Sequence, residues 1–130
     1  MNQKLERGEK LKSRKQIKGL FLKNRHVFSY PVKLIWAPSN KVEDFPVRLL
    51  VSVSKRSFKK AVDRNRMKRI IREAYRKNKS IIYSEISQEE NQILLGILYV
   101  AKELLAYDEV EAGIIKGLKK MKRELNNKPE

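Results

Sequence analysis

The spacing of apolar residues changes period several times along the chain, and each change predicts an element. Ile17, Leu20 and Phe21 recur at i, i+3 and i+4, one face of a short helix. Ser13 can cap its start, and Asn24 marks its expected end. From Val27 to Trp36 the period falls to two, with Val32, Leu34 and Trp36 on one face and Lys33 and Ile35 on the other. Pro38-Ser39-Asn40 opens a polar loop that runs to Pro46. Val47–Val53 is β-branched and nearly continuous, which predicts a strand buried on both faces at its centre. Met67, Ile70, Ile71 and Ala74 form the apolar stripe of a helix over Ala61–Lys79. Residues 78–92 form a polar, partly acidic connection to a strand over Gln92–Ala101. Asp108 and Glu111 have the spacing of a capping box. The helix that follows buries Val110, Ile114, Leu118, Met121 and Leu125, and its last turn holds Lys119, Lys120, Lys122 and Arg123, the sign the helix dipole favours. Helix, strands, helix, strand, helix is an α+β order, with helices packed on a small sheet. One domain over residues 1–125, loose at its N-terminal segment, and a tail over 126–130 are expected.

Charge narrows the function. The 130 residues carry 31 Lys+Arg against 15 Asp+Glu, a formal net charge of +16 with a pI near 10.2. Self-repulsion on that scale points to an anionic partner, nucleic acid or membrane. No stretch approaches the roughly 20 apolar residues of a membrane span, and the most apolar run, Ile93–Ala101, is strand-sized. The first residues, Met1 to Arg7, lack the apolar core of a signal peptide. Without cysteine there is neither a disulfide framework nor a thiolate metal site. A cytoplasmic nucleic-acid binder is the expectation. His26 is the only histidine and sits at a helix–strand junction, where a surface role is favoured over catalysis. A helix start, a basic environment and a cap account for Asp63, Glu73 and Asp108, and no spacing matches a zinc site or a hydrolytic triad.

The positive charge is concentrated in Lys55–Lys79. At roughly 100° per residue, Asn65, Arg69, Arg72 and Arg76 share one stripe, with Arg64, Lys68 and Lys79 on its near flank. Arg66 and Lys77 take the other flank, and the apolar stripe faces away. Like charges at i, i+4 destabilise a helix by a few tenths of a kcal/mol per pair. Polyanion binding explains their accumulation, because each phosphate neutralised releases counterions. The preference for Arg over Lys on the stripe suits bidentate phosphate recognition.

The residues Leu50-Val51-Ser52-Val53-Ser54-Lys55-Arg56, then Lys60-Ala61-Val62, then Arg64-Asn65-Arg66-Met67-Lys68-Arg69-Ile70-Ile71-Arg72 resemble the signature of the bacterial ribonuclease P protein subunit. In that family a strand ends in a basic pair and leads to an Arg-Asn-Arg motif on a helix. Lys10 to Arg14 with Ile17, Leu20 and Phe21 is similar to the family's first helix. Tyr30–Trp36 resembles its first strand, and Ile97–Lys102 its last. The resemblance implies a small mixed four-stranded sheet packed with three helices in the order α-β-β-β-α-β-α, with a left-handed βαβ crossover where general rules would give a right-handed one.

It also implies the protein part of an endoribonuclease whose catalytic RNA removes the 5′ leader from precursor tRNA. Partners would be that RNA and precursor tRNA, without a membrane or an obligate protein partner. Mg²⁺ would be held mainly by the RNA, and no catalytic residue would lie on the protein. By position, Lys55, Arg56, Lys59, Lys60, Arg64, Asn65, Arg66, Lys68, Arg69, Arg72 and Arg76 would form the RNA-binding set. Ile17, Phe21, Tyr30, Ile35 and Lys102 would line a cleft for the single-stranded leader, where aromatics beside cations suit sequence-tolerant binding. Two positions depart from the pattern: Ile17 stands where an aromatic is common, and Glu103 follows Lys102 where the family is usually basic.

Two other functions compete. A DNA-binding regulator could place the basic helix in a major groove, although a strand, not a helix-turn-helix, leads into it. A protein-only nuclease would need acidic metal ligands that the sequence does not group.

Overall fold

The computed structural model describes residues 14–22, 24–38, 46–84, 86 and 92–126. In chain order the elements are α1 (Arg14–Leu22), β1 (Arg25–Ser29), β2 (Val32–Pro38), β3 (Val47–Val53), α2 (Ala61–Asn78), α3 (Ser80–Tyr83), β4 (Ile93–Tyr99) and α4 (Tyr107–Asn126). The sheet order is β1-β2-β4-β3. The β1–β2 and β2–β4 pairs are antiparallel and the β4–β3 pair is parallel, so the sheet is mixed. The α+β class and the four strands agree with expectation; the one-turn helix α3 is additional to the three expected helices.

Alternation along the strands gives the sheet two unlike faces. Val32, Leu34 and Trp36 of β2, Leu49 and Val51 of β3, and Leu95 and Ile97 of β4 face α2 and α4 in the main core. Met67, Ile71, Ala74 and Tyr75 of α2 and Val110, Ile114, Leu118 and Met121 of α4 complete it. The other face carries Ile35 and Leu94, and α1 packs Leu20 against them. Gly96 lets α1 approach there: a Cβ would lie 2.9 Å from Ile35 Cγ1 and 3.4 Å from Leu20 Cδ2.

The period-two run Val27–Trp36 is a hairpin rather than one strand. The chain turns at Tyr30-Pro31, whose peptide bond is cis, and Val27 pairs with Leu34. The turn resets the alternation, so Val27 and Leu34 share a face although one is odd and the other even. Gly113 and Gly117 of α4 accept this hairpin closely: a Cβ at Gly113 would lie 2.5 Å from Pro31 Cδ, and one at Gly117 3.0 Å from Leu34 Cδ1. Ser29 Oγ donates to the Gly113 carbonyl at 2.8 Å, satisfying a buried hydroxyl.

Helix ends differ from expectation in detail. The Asn24 side-chain amide donates to the Leu20 carbonyl at 3.0 Å, as suits a residue closing α1. Ser13, the expected cap of α1, lies outside the described residues. For α4 the Ala106 carbonyl accepts the amides of Glu109 and Val110, so Asp108 lies inside the first turn and no capping box forms. Because α4 runs on to Asn126, only Arg123 among its cations occupies the last turn.

Candidate nucleic-acid interface

The cationic segment is built around one apolar anchor. After β3, the Ser54 carbonyl accepts the Phe58 amide at 3.0 Å, and Ser54 Oγ accepts the Arg56 amide at 3.0 Å. Phe58 is buried, its ring centroid 5.8 Å from that of Tyr99. Burying this one side chain leaves Lys55, Arg56, Lys59 and Lys60 exposed around it. Lys60 precedes α2 without a side-chain cap, and Asp63 supplies the negative charge that the helix start favours.

Arg64 is tied to this loop. Its Nη1 donates to the Phe58 carbonyl at 2.8 Å and to the Lys59 carbonyl at 2.9 Å. The first arginine of the Arg-Asn-Arg motif therefore shapes the protein, with only the rest of its fork left for a ligand. Asn65, Arg66, Arg69 and Arg72 are exposed and Lys68 is half-buried. None of these five makes a side-chain hydrogen bond or ion pair among the described residues. Four cations held on one helix without acid partners form a surface that a row of phosphates would neutralise.

The last turns of α2 serve packing instead. Arg76 Nε donates to Glu73 Oε1 at 2.6 Å within an ion pair, so part of its fork is engaged. Lys77 lies over the Tyr107 ring, 5.6 Å from its centroid. The Asn78 amide reaches Ala74 O and Glu111 Oε2, and Tyr107 donates to the same Glu111 oxygen at 3.1 Å. Burial, then the bond to Glu111, pushes the Tyr107 hydroxyl pKa up to about 12. Lys79, expected on the flank of the cationic stripe, is only 4% exposed and sits 5.4 Å from the Tyr83 ring centroid. The chain continues from α2 into α3 at that point, and the expected surface position becomes a buried junction.

The expected cleft residues separate into three environments. Ile35 is 2% exposed beneath α1, so it is the floor of the α1 cluster and not an accessible wall. Ile17 packs partly buried against that cluster, and Phe21 is 48% exposed beside it. Tyr30 lies at the hairpin turn, 57% exposed, away from the cluster. Register places Val32, Val53 and Tyr99 at one end of the sheet. The Tyr30 turn, the Lys55-Arg56 turn and the loop carrying exposed Lys102 therefore gather there, and Val100 N donates to Pro31 O at 2.9 Å. The Tyr99 hydroxyl, its pKa raised by burial, fastens the last of these loops by donating to the Glu103 carbonyl at 2.7 Å.

Lys33, Leu50, Ser52 and Leu98 line the same face as Ile35 and are partly buried, and Phe28, 55% exposed, pairs with Lys33. Sequence reasoning did not assign these. The signal for Phe28 was the alternation within 27–36, hidden by reading through the turn. Among the described residues no three acidic or histidine side chains converge as a metal site, and no helix is long and apolar enough to cross a membrane.

A family model described as Ribonuclease P matches residues 5–122. The chain belongs to the ribonuclease P protein family. It is 31% identical over 114 residues to the ribonuclease P protein component of Porphyromonas gingivalis, covering 88% of this chain and 83% of that one. To the ribonuclease P protein component of Chlorobaculum tepidum it is 35% identical over 105 residues, 75% of this chain and 68% of that one. The fold is similar to that of the RNase P protein of Staphylococcus aureus, with a TM-score of 0.69 at 23% identity over 88% of this chain and 95% of that one. The RNase P protein of Thermotoga maritima gives 0.67 at 21% identity, over 85% and 96%. The chain is thus the RNA-binding protein subunit of a tRNA 5′-processing endoribonuclease and works with ribonuclease P RNA. The DNA-binding alternative is not favoured.

Proposed function

We propose that the outer stripe of α2 and the Lys59-Lys60 pair before it hold the catalytic RNA, while the α1 side of the sheet and the Lys55-Arg56 turn at its end receive the 5′ leader of precursor tRNA. The observation that carries the reading is the set Arg66, Lys68, Arg69 and Arg72, cations on one helix with no ion pair among the described residues. Four phosphate contacts would make log K fall with log salt by roughly 3 units for this stripe alone, at about 0.7–0.9 per phosphate. Phe21 and Phe28 offer exposed rings, and Lys33, Lys55, Arg56 and Lys102 supply cations at or near the same side. Rings interleaved with cations suit a single strand of any sequence. Mg²⁺ is assigned to the RNA, which supplies the hydrolytic chemistry when it is bound, and the protein's part is electrostatic and positional. The cytoplasm, where precursor tRNA is found, is the proposed location.

Reconstitution with the organism's own ribonuclease P RNA tests this. The protein should raise precursor cleavage at low Mg²⁺ and moderate salt. No improvement would overturn the reading, and cleavage by the protein alone would favour a protein-only nuclease.

A further inference from the structure

A second cationic stripe lies on α4 and is not used by the surfaces above. Between residues 116 and 123 the sequence places Lys116, Lys119, Lys120, Lys122 and Arg123 without one acid. Lys116, Lys119 and Arg123 stand at i, i+3 and i+7, within one narrow arc of the helix, and all three are exposed. They span about 10 Å at 1.5 Å per residue. None of the three has a hydrogen-bond or ion-pair partner among the described residues. Lys120 is different, because its Nζ donates to the Phe28 carbonyl at 2.9 Å.

Two ordinary explanations fall short. The helix dipole favours cations within the last turn, which contains Arg123 but not Lys116 or Lys119. Nor do flanking acids compensate the charge. Glu124 Oε1 is held by Arg25 at 2.9 Å, and Glu111 is held by Asn78 and Tyr107. Lys116 with Lys119, and Lys119 with Arg123, are like-charge neighbours that weaken the helix they stand on.

Position suggests the partner. Helices α2 and α4 bury their apolar stripes against the same sheet face, in one core, and touch through Lys77–Tyr107 and Asn78–Glu111. Their outer stripes consequently face the same side of the molecule, opposite α1. We propose that Lys116, Lys119 and Arg123 form a second contact with the phosphodiester backbone of the same RNA that α2 binds. This rests on the assignment of α2 to the ribonuclease P RNA. The precursor's leader is a poorer occupant, since its proposed surface lies across the sheet.

The test compares the full-length protein with Lys116→Gln/Lys119→Gln/Arg123→Gln, titrated against ribonuclease P RNA over a range of salt. With three fewer phosphates neutralised, the slope of log K against log salt should become shallower by about 2–3 units, at 0.7–0.9 each. The melting temperature should be unchanged or slightly higher, and the charge-retaining Lys116→Arg/Lys119→Arg/Arg123→Lys should keep the original slope. A slope equal to the parent's in the glutamine variant overturns the proposal. Arg69→Gln, measured in parallel, separates the two readings. If it flattens the slope while the α4 variant does not, only the α4 contact fails; if neither does, the α2 assignment fails as well. Loss confined to precursor tRNA affinity, with the protein–RNA slope intact, would give the stripe to the precursor and also overturn the proposal.

Discussion

Replacing Arg64 by alanine separates two roles open to a cation at the start of α2. The structure gives it an architectural one: Nη1 holds the Phe58 and Lys59 carbonyls at 2.8 and 2.9 Å. Hydrogen bonds to a charged group contribute about 1.5–3 kcal/mol each when shielded from water. Arg64 is only half-buried and the Lys59 carbonyl can rehydrate, so the pair together is worth roughly 1–2 kcal/mol after screening. At roughly 3–5 °C per kcal/mol for a chain of this size, Arg64→Ala should lower Tm by about 3–10 °C. Arg69→Ala, at an exposed residue without a partner among the described residues, should remain within about 0.5 kcal/mol of the parent. Its effect belongs in RNA affinity, with the salt slope reduced by about 1 unit. Arg64→Lys keeps the charge but loses the planar fork, so it should recover RNA affinity more fully than stability. Thermal unfolding by circular dichroism and salt-dependent RNA titration read the two effects separately. If Arg64→Ala melts like the parent and loses affinity as Arg69→Ala does, the tether is immaterial and the reasoning is refuted.

Phe21→Ala should lower the holoenzyme's preference for leader-bearing over mature tRNA while costing little stability, because the ring is half-exposed; competition binding of the two tRNAs checks this. Gly113→Ala should destabilise by about 1–3 kcal/mol or more, since its Cβ would stand 2.6 Å from the Tyr30 carbonyl oxygen and 2.5 Å from Pro31 Cδ, and neither can retreat freely; denaturant unfolding measures it. Tyr107 makes a pH prediction. Its pKa, raised to about 12, means the fold favours the neutral phenol, so this contribution is complete below the unfolded value near 10 and is lost as pH rises through about 12. Tyr107→Phe should therefore show a flatter decline in stability between those two pH values.

Where one residue's neighbours along the chain decide its fate, the sequence was readable. Met67, Ile71 and Ala74, and Val110, Ile114, Leu118 and Met121, are buried as their helical spacing predicts. Asn65, Arg66, Arg69 and Arg72 of α2 are turned outward for the same reason. Distant contacts were not readable. Nothing in the spacing of Arg64 distinguishes a tether to Phe58 and Lys59 from a free cation, and Lys79 looks like surface until α3 closes over it. Tyr75 is buried in the main core although its helical position borders the charged flank. Tyr30-Pro31 lacks the Asn-Gly or Asp-Gly pair that announces a tight hairpin, so the alternation was carried across a turn that reverses it.

The inequality of the two sheet faces bears on how the molecule opens. On one face, two long helices and parts of all four strands share a continuous core; on the other, nine residues of α1 dock through Leu20 onto Ile35 and Leu94. Among the described residues, releasing α1 forfeits only that small cluster, and the remaining hydrogen-bonded sheet keeps its other cover. Such an element belongs at the low end of a protein's ladder of opening free energies. In native-state hydrogen exchange, the amides of α1 should become labile by a route that leaves those of β2 and β4 protected. The helix beside the proposed leader surface is thus the part of this chain that can come and go while the scaffold presenting the arginines of α2 stays folded.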